Sequence, residues 1–208
     1  MEPMGARPSV LLIFGTSHVG KSTLAGRLGV ELGWRTISTD GLGRHPGRPW
    51  PEVRPPVAEF YASLTDETVY WFLRAHHENM WPIIEETIRA VRGPGEGLVL
   101  EGSALRPELI ADLDREKVLA VGLHADPAFL RDRMMSQSGY ARRDDHGRLL
   151  IDRFITRSLR DNDQIVHDAN RLGLRLLDAA DAGALERLAE ELVGVLADGH
   201  GRDERGDR

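Results

Sequence analysis

Short apolar runs alternate along this chain with longer segments in which apolar residues recur at every third or fourth position. The clearest runs are residues 10–14, 97–100, 117–123 and 173–177, and a shorter segment at 35–38 completes five predicted strands. Runs of this kind are typical of strands buried on both faces, and the longer segments are typical of amphipathic helices. Strands that alternate with helices predict an α/β fold with a parallel sheet, with functional residues outside the carboxyl ends of the strands.

The segment between the second and third strands is the least regular part of the pattern. Prolines and glycines crowd residues 41–56, which excludes regular structure there. From Asp66 to Val91 apolar residues recur at helical spacing, and Pro82 is expected to bend or restart that helix. Residues 42–92 are therefore predicted to form a helical insertion. A helix is also predicted after the third strand, and others at 21–32, 127–136, 150–172 and 184–196.

A glycine-rich segment between the first strand and the first helix carries the strongest chemical signal. It has the pattern G-x-x-x-x-G-K-S and comprises Gly15, Thr16, Ser17, His18, Val19, Gly20, Lys21, Ser22 and Thr23. Backbone N–H groups of such a loop, with the helix N-terminus, bind phosphate groups. Lys21 is expected to contact the β- and γ-phosphates of a nucleotide, and the Ser22 hydroxyl to bind Mg²⁺. No guanine-specific Asn-Lys-x-Asp or Thr-Lys-x-Asp motif occurs, so ATP is the expected nucleotide.

Asp40 follows the second predicted strand and is the favoured catalytic base. A carboxylate at this edge of the sheet can accept the proton of a substrate hydroxyl, while Arg44 can hold an anionic group of the substrate. The alternative is that Asp40 caps a turn, which is a common use of Asp before glycine. Asp40 and Arg44 are thus candidates for substrate binding.

Glu101 ends the third predicted strand, where phosphate-loop proteins carry an acidic metal ligand. Asp is the commoner residue at that position. Glu101 is therefore a candidate for binding Mg²⁺, for binding substrate, or for ordering Ser103 and its loop. The sequence leaves these three roles open.

A polar, arginine-rich segment at 137–148 follows the helix after the fourth strand. One or two of its arginines, or Arg133 on the helix itself, could close over a triphosphate and stabilise the charge that develops during transfer. Arg142 is the first candidate and Arg133 the second. The alternative is an ordinary solvated loop.

Histidines and aromatic residues of the insertion each have two interpretations. His76 and His77, with Glu78, suggest a metal site, but adjacent helical residues point in different directions, so a packed or substrate-facing histidine is favoured. Aromatic residues either stack on a ring-bearing substrate or pack in the core, and they comprise Trp50, Tyr61, Tyr70, Trp71 and Trp81.

Composition narrows the class of protein. The chain has 208 residues, a net charge of −6 and no cysteine, which excludes disulfides and thiolate metal sites. Its length fits a single domain at 9–197, with disordered termini expected at 1–8 and 198–208. The acidic balance argues against a nucleic-acid partner. Neither a signal peptide nor a membrane-spanning run is present, so a cytoplasmic protein without a membrane partner is expected.

The motifs together resemble the P-loop small-molecule kinases, which include nucleoside, gluconate, shikimate and 2-phosphoglycerate kinases and chloramphenicol phosphotransferases. The resemblance covers most of residues 9–196. It rests on the phosphate loop, on Ser38-Thr39-Asp40 with Arg44, on Leu98-Val99-Leu100-Glu101-Gly102, on Ala125-Asp126-Pro127 with Leu130 and Arg133, and on the arginine-rich segment. It implies a five-stranded parallel sheet in the order 2-3-1-4-5, a substrate-binding region at about 42–92 and a lid at about 137–149.

Two functions from different classes follow. The leading one is a kinase that transfers the γ-phosphoryl group of Mg·ATP to a hydroxyl of a small metabolite, nucleoside or natural product. The alternative is a nucleotide-dependent switch protein that hydrolyses ATP slowly and binds a protein partner. The oligomeric state is left open, with a homodimer among the options.

Overall fold

Five parallel strands form one sheet in the computed structural model, which describes residues 7–92 and 96–197. The predicted tail at 198–208, and residues 1–6 of the predicted tail at 1–8, lie outside these ranges. The strand order is β2-β3-β1-β4-β5, which confirms the predicted order. The strands are β1 (Val10–Phe14), β2 (Arg35–Ser38), β3 (Leu98–Gly102), β4 (Val118–His124) and β5 (Arg175–Asp178).

The register of the strands brings their carboxyl ends to a common edge. Ile13 of β1 pairs with Glu101 of β3, and Ser38 of β2 pairs with the same glutamate. The phosphate loop leaves β1 at this edge, and a 3₁₀ turn (Thr39–Gly41) leaves β2 there. Loops that are distant in sequence therefore meet above the sheet.

Helices cover both faces of the sheet. They are α1 (Lys21–Leu32), α2 (Pro55–Ser63), α3 (Asp66–Arg89), α4 (Pro107–Ile110), α5 (Pro127–Ser138), α6 (Asp145–Arg171) and α7 (Ala182–Ala197). Among the residues of 7–92 and 96–197, no helix has both the length and the hydrophobicity needed to cross a bilayer.

Side chains of β1 show how the two faces are filled. Leu11 and Ile13 point into a core built with α1, α2, α5, α7 and the first half of α6. Val10, Leu12 and Phe14 point into a second core built with α3, α4 and the second half of α6. All five side chains are fully buried, because a central parallel strand is covered on both faces.

The helical insertion differs in detail from the prediction. Helix α2 begins inside the proline-rich segment, since Pro55 and Pro56 occupy its first turn, where a helix needs no N–H donor. Helix α3 continues through Pro82 without restarting. The carbonyl that Pro82 leaves unpaired belongs to Glu78, an exposed residue that can hydrogen-bond water. The helix predicted after β3 is only the four-residue α4.

The segment predicted as a lid, 137–149, consists of the end of α5, a 3₁₀ turn and the start of α6. Helix α5 ends at Ser138, and Gly139 in the left-handed conformation leads into a 3₁₀ turn (Tyr140–Arg142). Asp144 then caps α6, earlier than the predicted helix start at 150, by accepting a hydrogen bond from the Gly147 N–H at 2.7 Å. The Arg143 guanidinium donates to the Pro51 carbonyl at 3.3 Å, which ties the segment to the insertion.

Candidate active site

The phosphate loop, residues 15–23, has a backbone that depends on its glycines. Gly15 has a φ of +145°, and a Cβ there would lie 2.3 Å from the Leu123 carbonyl oxygen, so no larger residue fits. Gly20 has a φ of +106° at the N-cap of α1. The Thr16 hydroxyl donates to the Ser158 carbonyl of α6 at 2.8 Å. The loop is therefore fixed to the sheet on one side and to α6 on the other.

Lys21 is held on the loop itself. Its ammonium donates to the Thr16 carbonyl at 2.7 Å, and the side chain is buried. Burial lowers the pKa of Lys21 below its ordinary value, and the nearby carboxylates of Glu101 and Asp40 oppose that change. The negative charge of a bound triphosphate would likewise favour the charged lysine.

Ser22 and Glu101 form a pair of oxygen donors at the start of α1 and the end of β3. The Ser22 hydroxyl donates to Oε1 of Glu101 at 3.0 Å, and Glu101 is only 4% exposed. A hydroxyl and a buried carboxylate are the kind of ligands that Mg²⁺ takes beside a nucleotide. No group of three or more His, Asp or Glu side chains in the described chain could hold a metal ion by itself. These two side chains fit a magnesium ion that takes its other ligands from the phosphates of a nucleotide.

Asp40 lies beside this pair because two backbone segments approach very closely. A Cβ on Gly102 would lie 1.7 Å from the Thr39 hydroxyl, so glycine is required where β3 passes the turn that carries Asp40. Asp40 is exposed, and its charge acts on Lys21 and on His76. The Ser38 hydroxyl, not the Asp40 carboxylate, caps this turn by accepting from the Asp40 N–H at 3.4 Å. Asp40 is among the residues that line the cleft described next.

A cleft of about 450 Å³ opens above the carboxyl edge of the sheet. Its lining includes the predicted residues Ser17, His18, Gly20, Lys21, Ser22, Thr23, Asp40, Glu101 and Arg133. Three of the four segments that the sequence predicts to converge do so here, namely the phosphate loop, the turn after β2 and the end of β3. From the arginine-rich segment only Gln137 lines the cleft.

Two predicted arginines lie elsewhere. Arg142 is exposed, and its guanidinium folds back over the backbone of Gly139, where a Cβ would lie 3.4 Å from it. Arg44 is exposed on the loop before α2. Neither is among the described residues that line the cleft. Of the two predicted catalytic arginines, Arg133 lines the cleft, whereas Arg142 lies on the turn that follows α5.

Three arginines do line the cleft, namely Arg48, Arg133 and Arg157. Arg133 lies beside the loop, with its guanidinium 3.8 Å from the position of a Cβ on Gly20. Arg157 of α6 donates to the Ser17 hydroxyl at 3.3 Å and stacks on the Phe154 ring at 4.4 Å. Arg48, on the loop before α2, also lines the cleft. Neither Arg157 nor Arg48 was predicted, since each lies in a segment without a motif.

His18 joins the phosphate loop to the insertion. Its ring lies 5.3 Å from the Trp50 ring and 5.7 Å from the Phe154 ring, centroid to centroid. Burial, and after it the charges of Arg48, Lys21, Arg133 and Arg157, together lower the pKa of His18 to about 4. His18 is thus neutral at neutral pH, and it adds no positive charge to the loop.

The wall of the cleft opposite the phosphate loop comes from the insertion. We call it the insertion side, and it comprises Asp40, His45, Phe60, Val69, Phe72, Leu73, His76, His77 and Met80. The predicted aromatic residues lie elsewhere, because Trp50 and Tyr61 are buried in the core and Trp71 points outward. Phe60 and Phe72 were not predicted, although Phe72 and His76 share the helical spacing of α3.

No protein-family model matches the sequence, and no curated protein matches it. Solved structures do match. A candidate kinase of Chloroflexus aurantiacus is 16% identical with a TM-score of 0.51, over 95% of this chain and 100% of that chain. Deoxyadenosine kinase of M. mycoides, solved with bound dATP, is 12% identical with a TM-score of 0.51, over 88% and 98% of the two chains. A gluconokinase of Sinorhizobium meliloti is 22% identical with a TM-score of 0.46, over 90% and 97%.

The first two similarities show the fold. Together with the strand order, they confirm that this chain has the fold of the P-loop small-molecule kinases, as the sequence motifs indicate.

Proposed function

We propose that this protein is a kinase that transfers the γ-phosphoryl group of ATP to a hydroxyl of a small molecule. The observation that carries the proposal is the meeting of three groups in one cleft. The phosphate loop with Lys21, the Ser22–Glu101 pair and the carboxylate of Asp40 all line it. Phosphoryl transfer needs little beyond positioning and charge neutralisation, and this set supplies both.

Each group has a distinct part in the reaction. The acceptor oxygen forms a bond to the γ-phosphorus while the bond from that phosphorus to the β,γ-bridging oxygen breaks, and the bridging oxygen leaves with its electron pair on ADP. The carboxylate of Asp40 takes the proton of the acceptor hydroxyl. Lys21, Arg133 and Arg157 surround the phosphate loop and balance the charge on the phosphoryl group.

Ser22 and Glu101 would hold a magnesium ion. When bound, the ion neutralises phosphate charge and orients the β- and γ-phosphates. The hydrogen bond between the two side chains favours this role for Glu101 over substrate binding. Glu101 accepts its hydrogen bond from Ser22 of the phosphate loop, which also favours the metal role over the ordering of Ser103.

A switch protein remains the alternative function, and Asp40 favours the kinase. A switch needs a nucleotide site but no base beside it. Here the glycine at 102 lets the turn that carries Asp40 approach the end of β3, which places a carboxylate between the nucleotide site and the insertion. That arrangement serves an acceptor substrate.

Mass spectrometry tests the proposal directly. The protein is incubated with Mg·ATP and a mixed panel of nucleosides, sugars, sugar acids, phosphoglycerates and hydroxylated antibiotics, with a Lys21→Ala variant as the control. We expect one class of compound to gain a phosphate in a Lys21-dependent manner. Slow ATP hydrolysis without any phosphorylated compound, together with a protein partner retained only with nucleotide, would support the switch instead.

A further inference from the structure

The positive charges of the cleft are gathered at one place. Of the described residues that line it, four are lysines or arginines, namely Lys21, Arg48, Arg133 and Arg157. All four lower the pKa of His18, so all four lie within electrostatic reach of the phosphate loop. Because a triphosphate carries several negative charges, this cluster is accounted for by the nucleotide and the phosphoryl group in transfer.

The insertion side has a different electrostatic character. Apart from burial, the groups that act on His76 are His45 and the carboxylate of Asp40, and no arginine is among them. Burial lowers the pKa of His76, and it lowers the pKa of His77 to about 3, so both imidazoles are neutral at neutral pH. Arg157 also acts on His77, but its guanidinium is bonded to Ser17 of the phosphate loop.

The surface of the insertion side suits a flat ring. The rings of Phe72 and His76 are nearly parallel, with 5° between their planes and 6.1 Å between their centroids. The Phe60 ring lies 5.2 Å from that of Phe72. Phe72 is 37% exposed, an unusual fraction for a phenylalanine, and its exposed part borders the cleft. A ligand ring that packs against such aromatic side chains gains binding energy beyond that from the area it buries.

We propose that the acceptor is an uncharged, ring-bearing alcohol, whose ring packs on Phe60, Phe72 and His76 while its hydroxyl reaches Asp40. The inference rests on the kinase function proposed above and specifies its substrate class. A carboxylate or phosphate on the ring would lose water beside the carboxylate of Asp40, while the four cations of the cleft act on His18 of the phosphate loop, and this disfavours binding. Arg44, the residue expected to hold an anionic group, does not line the cleft.

Matched pairs of acceptors test the charge requirement. Uridine is compared with orotidine, and 2-phenylethanol with 4-(2-hydroxyethyl)benzoate, so that the second member of each pair adds one carboxylate and keeps every hydroxyl of the first. Phosphorylated product is quantified with Mg·ATP and with the Lys21→Ala control. For the pair that is phosphorylated, we expect kcat/KM about tenfold or more higher for the uncharged member.

A pair of neighbouring variants tests the ring contact. Phe72→Ala removes a ring that borders the cleft, whereas Trp71→Ala removes a ring that is 66% exposed and is not among the cleft-lining residues. We expect Phe72→Ala to lower kcat/KM for the ring-bearing alcohol about tenfold, mainly through KM, and Trp71→Ala to leave it unchanged. Binding of a fluorescent ATP analogue should be the same in both variants.

The outcomes separate this inference from the proposed function. Preference for the carboxylate member, or equal loss in the two variants, would overturn the substrate class and leave the kinase intact. An open-chain alcohol such as glycerol used better than every cyclic compound would do the same. Lys21-dependent ATP hydrolysis with no phosphorylated compound in any pair would overturn both.

Discussion

The two walls of the cleft solve different problems with different side chains. The phosphate side places four cations around a glycine-rich loop and keeps its histidine neutral. The insertion side offers aromatic rings, two neutral histidines and a single carboxylate. The reacting phosphoryl group lies between the two in the proposed reaction. In that proposal, positive charge is concentrated where negative charge develops, and the acceptor would be recognised mainly by shape and by Asp40.

The two walls also differ in how closely their residues depend on the acceptor. A phosphate loop must present N–H groups, a lysine and a hydroxyl whatever the acceptor is, so its residues tolerate little change. In the proposed reaction it is the insertion side that faces the acceptor. A fold that keeps one wall constant while the other varies can serve many acceptors, and function must be argued from the variable wall.

The largest effect should come from Asp40, the carboxylate of the insertion side. Asp40→Asn keeps the shape of the side chain but cannot take a proton, so we expect kcat to fall about a thousandfold. Binding of a fluorescent ATP analogue should be unchanged, because the phosphate loop is intact. Asp66→Asn, at an exposed helix start outside the cleft, is the control. If Asp40→Asn turned over as fast as the unaltered protein, Asp40 would not be the catalytic base.

Arg157 and Arg142 give the next comparison, because the structure places one on the phosphate side and the other outside the cleft. We expect Arg157→Gln to lower kcat about a hundredfold through loss of charge stabilisation at the phosphate loop. Arg142→Gln should remain within about twofold of the unaltered protein, because its guanidinium lies over Gly139. Thermal unfolding of both variants checks that neither loss reflects folding. A larger loss in Arg142→Gln would mean that the arginine-rich segment closes over the nucleotide.

Some residues of the cleft could be predicted from the sequence alone. The phosphate loop, Asp40 and Glu101 could be predicted because each lies at or just after the carboxyl end of a strand, and the carboxyl ends of parallel strands meet at one edge. Arg133 could be named because it lies on the helix after the fourth strand. In these cases a local pattern fixes the position of the residue.

Arg157, Arg48, Phe60 and Phe72 could not be predicted, because their positions depend on how distant segments pack. Arg157 lies in the middle of α6 and reaches the loop only because the Thr16 hydroxyl bonds the Ser158 carbonyl. Arg48 reaches the cleft on a loop whose Gly47 carbonyl accepts from the buried Tyr61 hydroxyl at 2.9 Å. Contacts over such separations leave no periodic signal in the chain. The turn that carries Arg142 away from the cleft leaves none either.

Glu101 provides a test with a moderate effect, on the metal requirement of the phosphate side. Glu101→Gln keeps the hydrogen bond to Ser22 possible but removes the negative charge. We expect the Mg²⁺ concentration for half-maximal activity to rise about tenfold, since a charged ligand is lost. Activity at saturating Mg²⁺ should partly recover. A changed KM for the acceptor with an unchanged Mg²⁺ dependence would instead assign Glu101 to substrate binding.

The smallest effect concerns the stability that a buried neutral histidine confers on the insertion side. Burial lowers the pKa of His77 to about 3 from an ordinary 6.5, while Asp161 opposes the change and Arg106, Arg157 and His76 reinforce it. Between these two pH values the unfolded chain binds a proton that the folded chain does not. The stabilising effect of the neutral histidine is therefore present above pH 6.5 and is lost as the pH falls toward 3.

Denaturant unfolding at a series of pH values measures this effect. Below pH 6.5 the free energy of unfolding should fall more steeply for the unaltered protein than for His77→Gln, by about 1.4 kcal/mol per pH unit. His146→Gln, at an exposed position in α6, should keep the steep dependence. If His77→Gln and the unaltered protein lost stability in parallel, His77 would take up its proton in the folded state, and the insertion side would then carry a positive charge in mild acid. The preference for an uncharged acceptor should in that case reverse below pH 6.5, which the matched acceptor pairs would report.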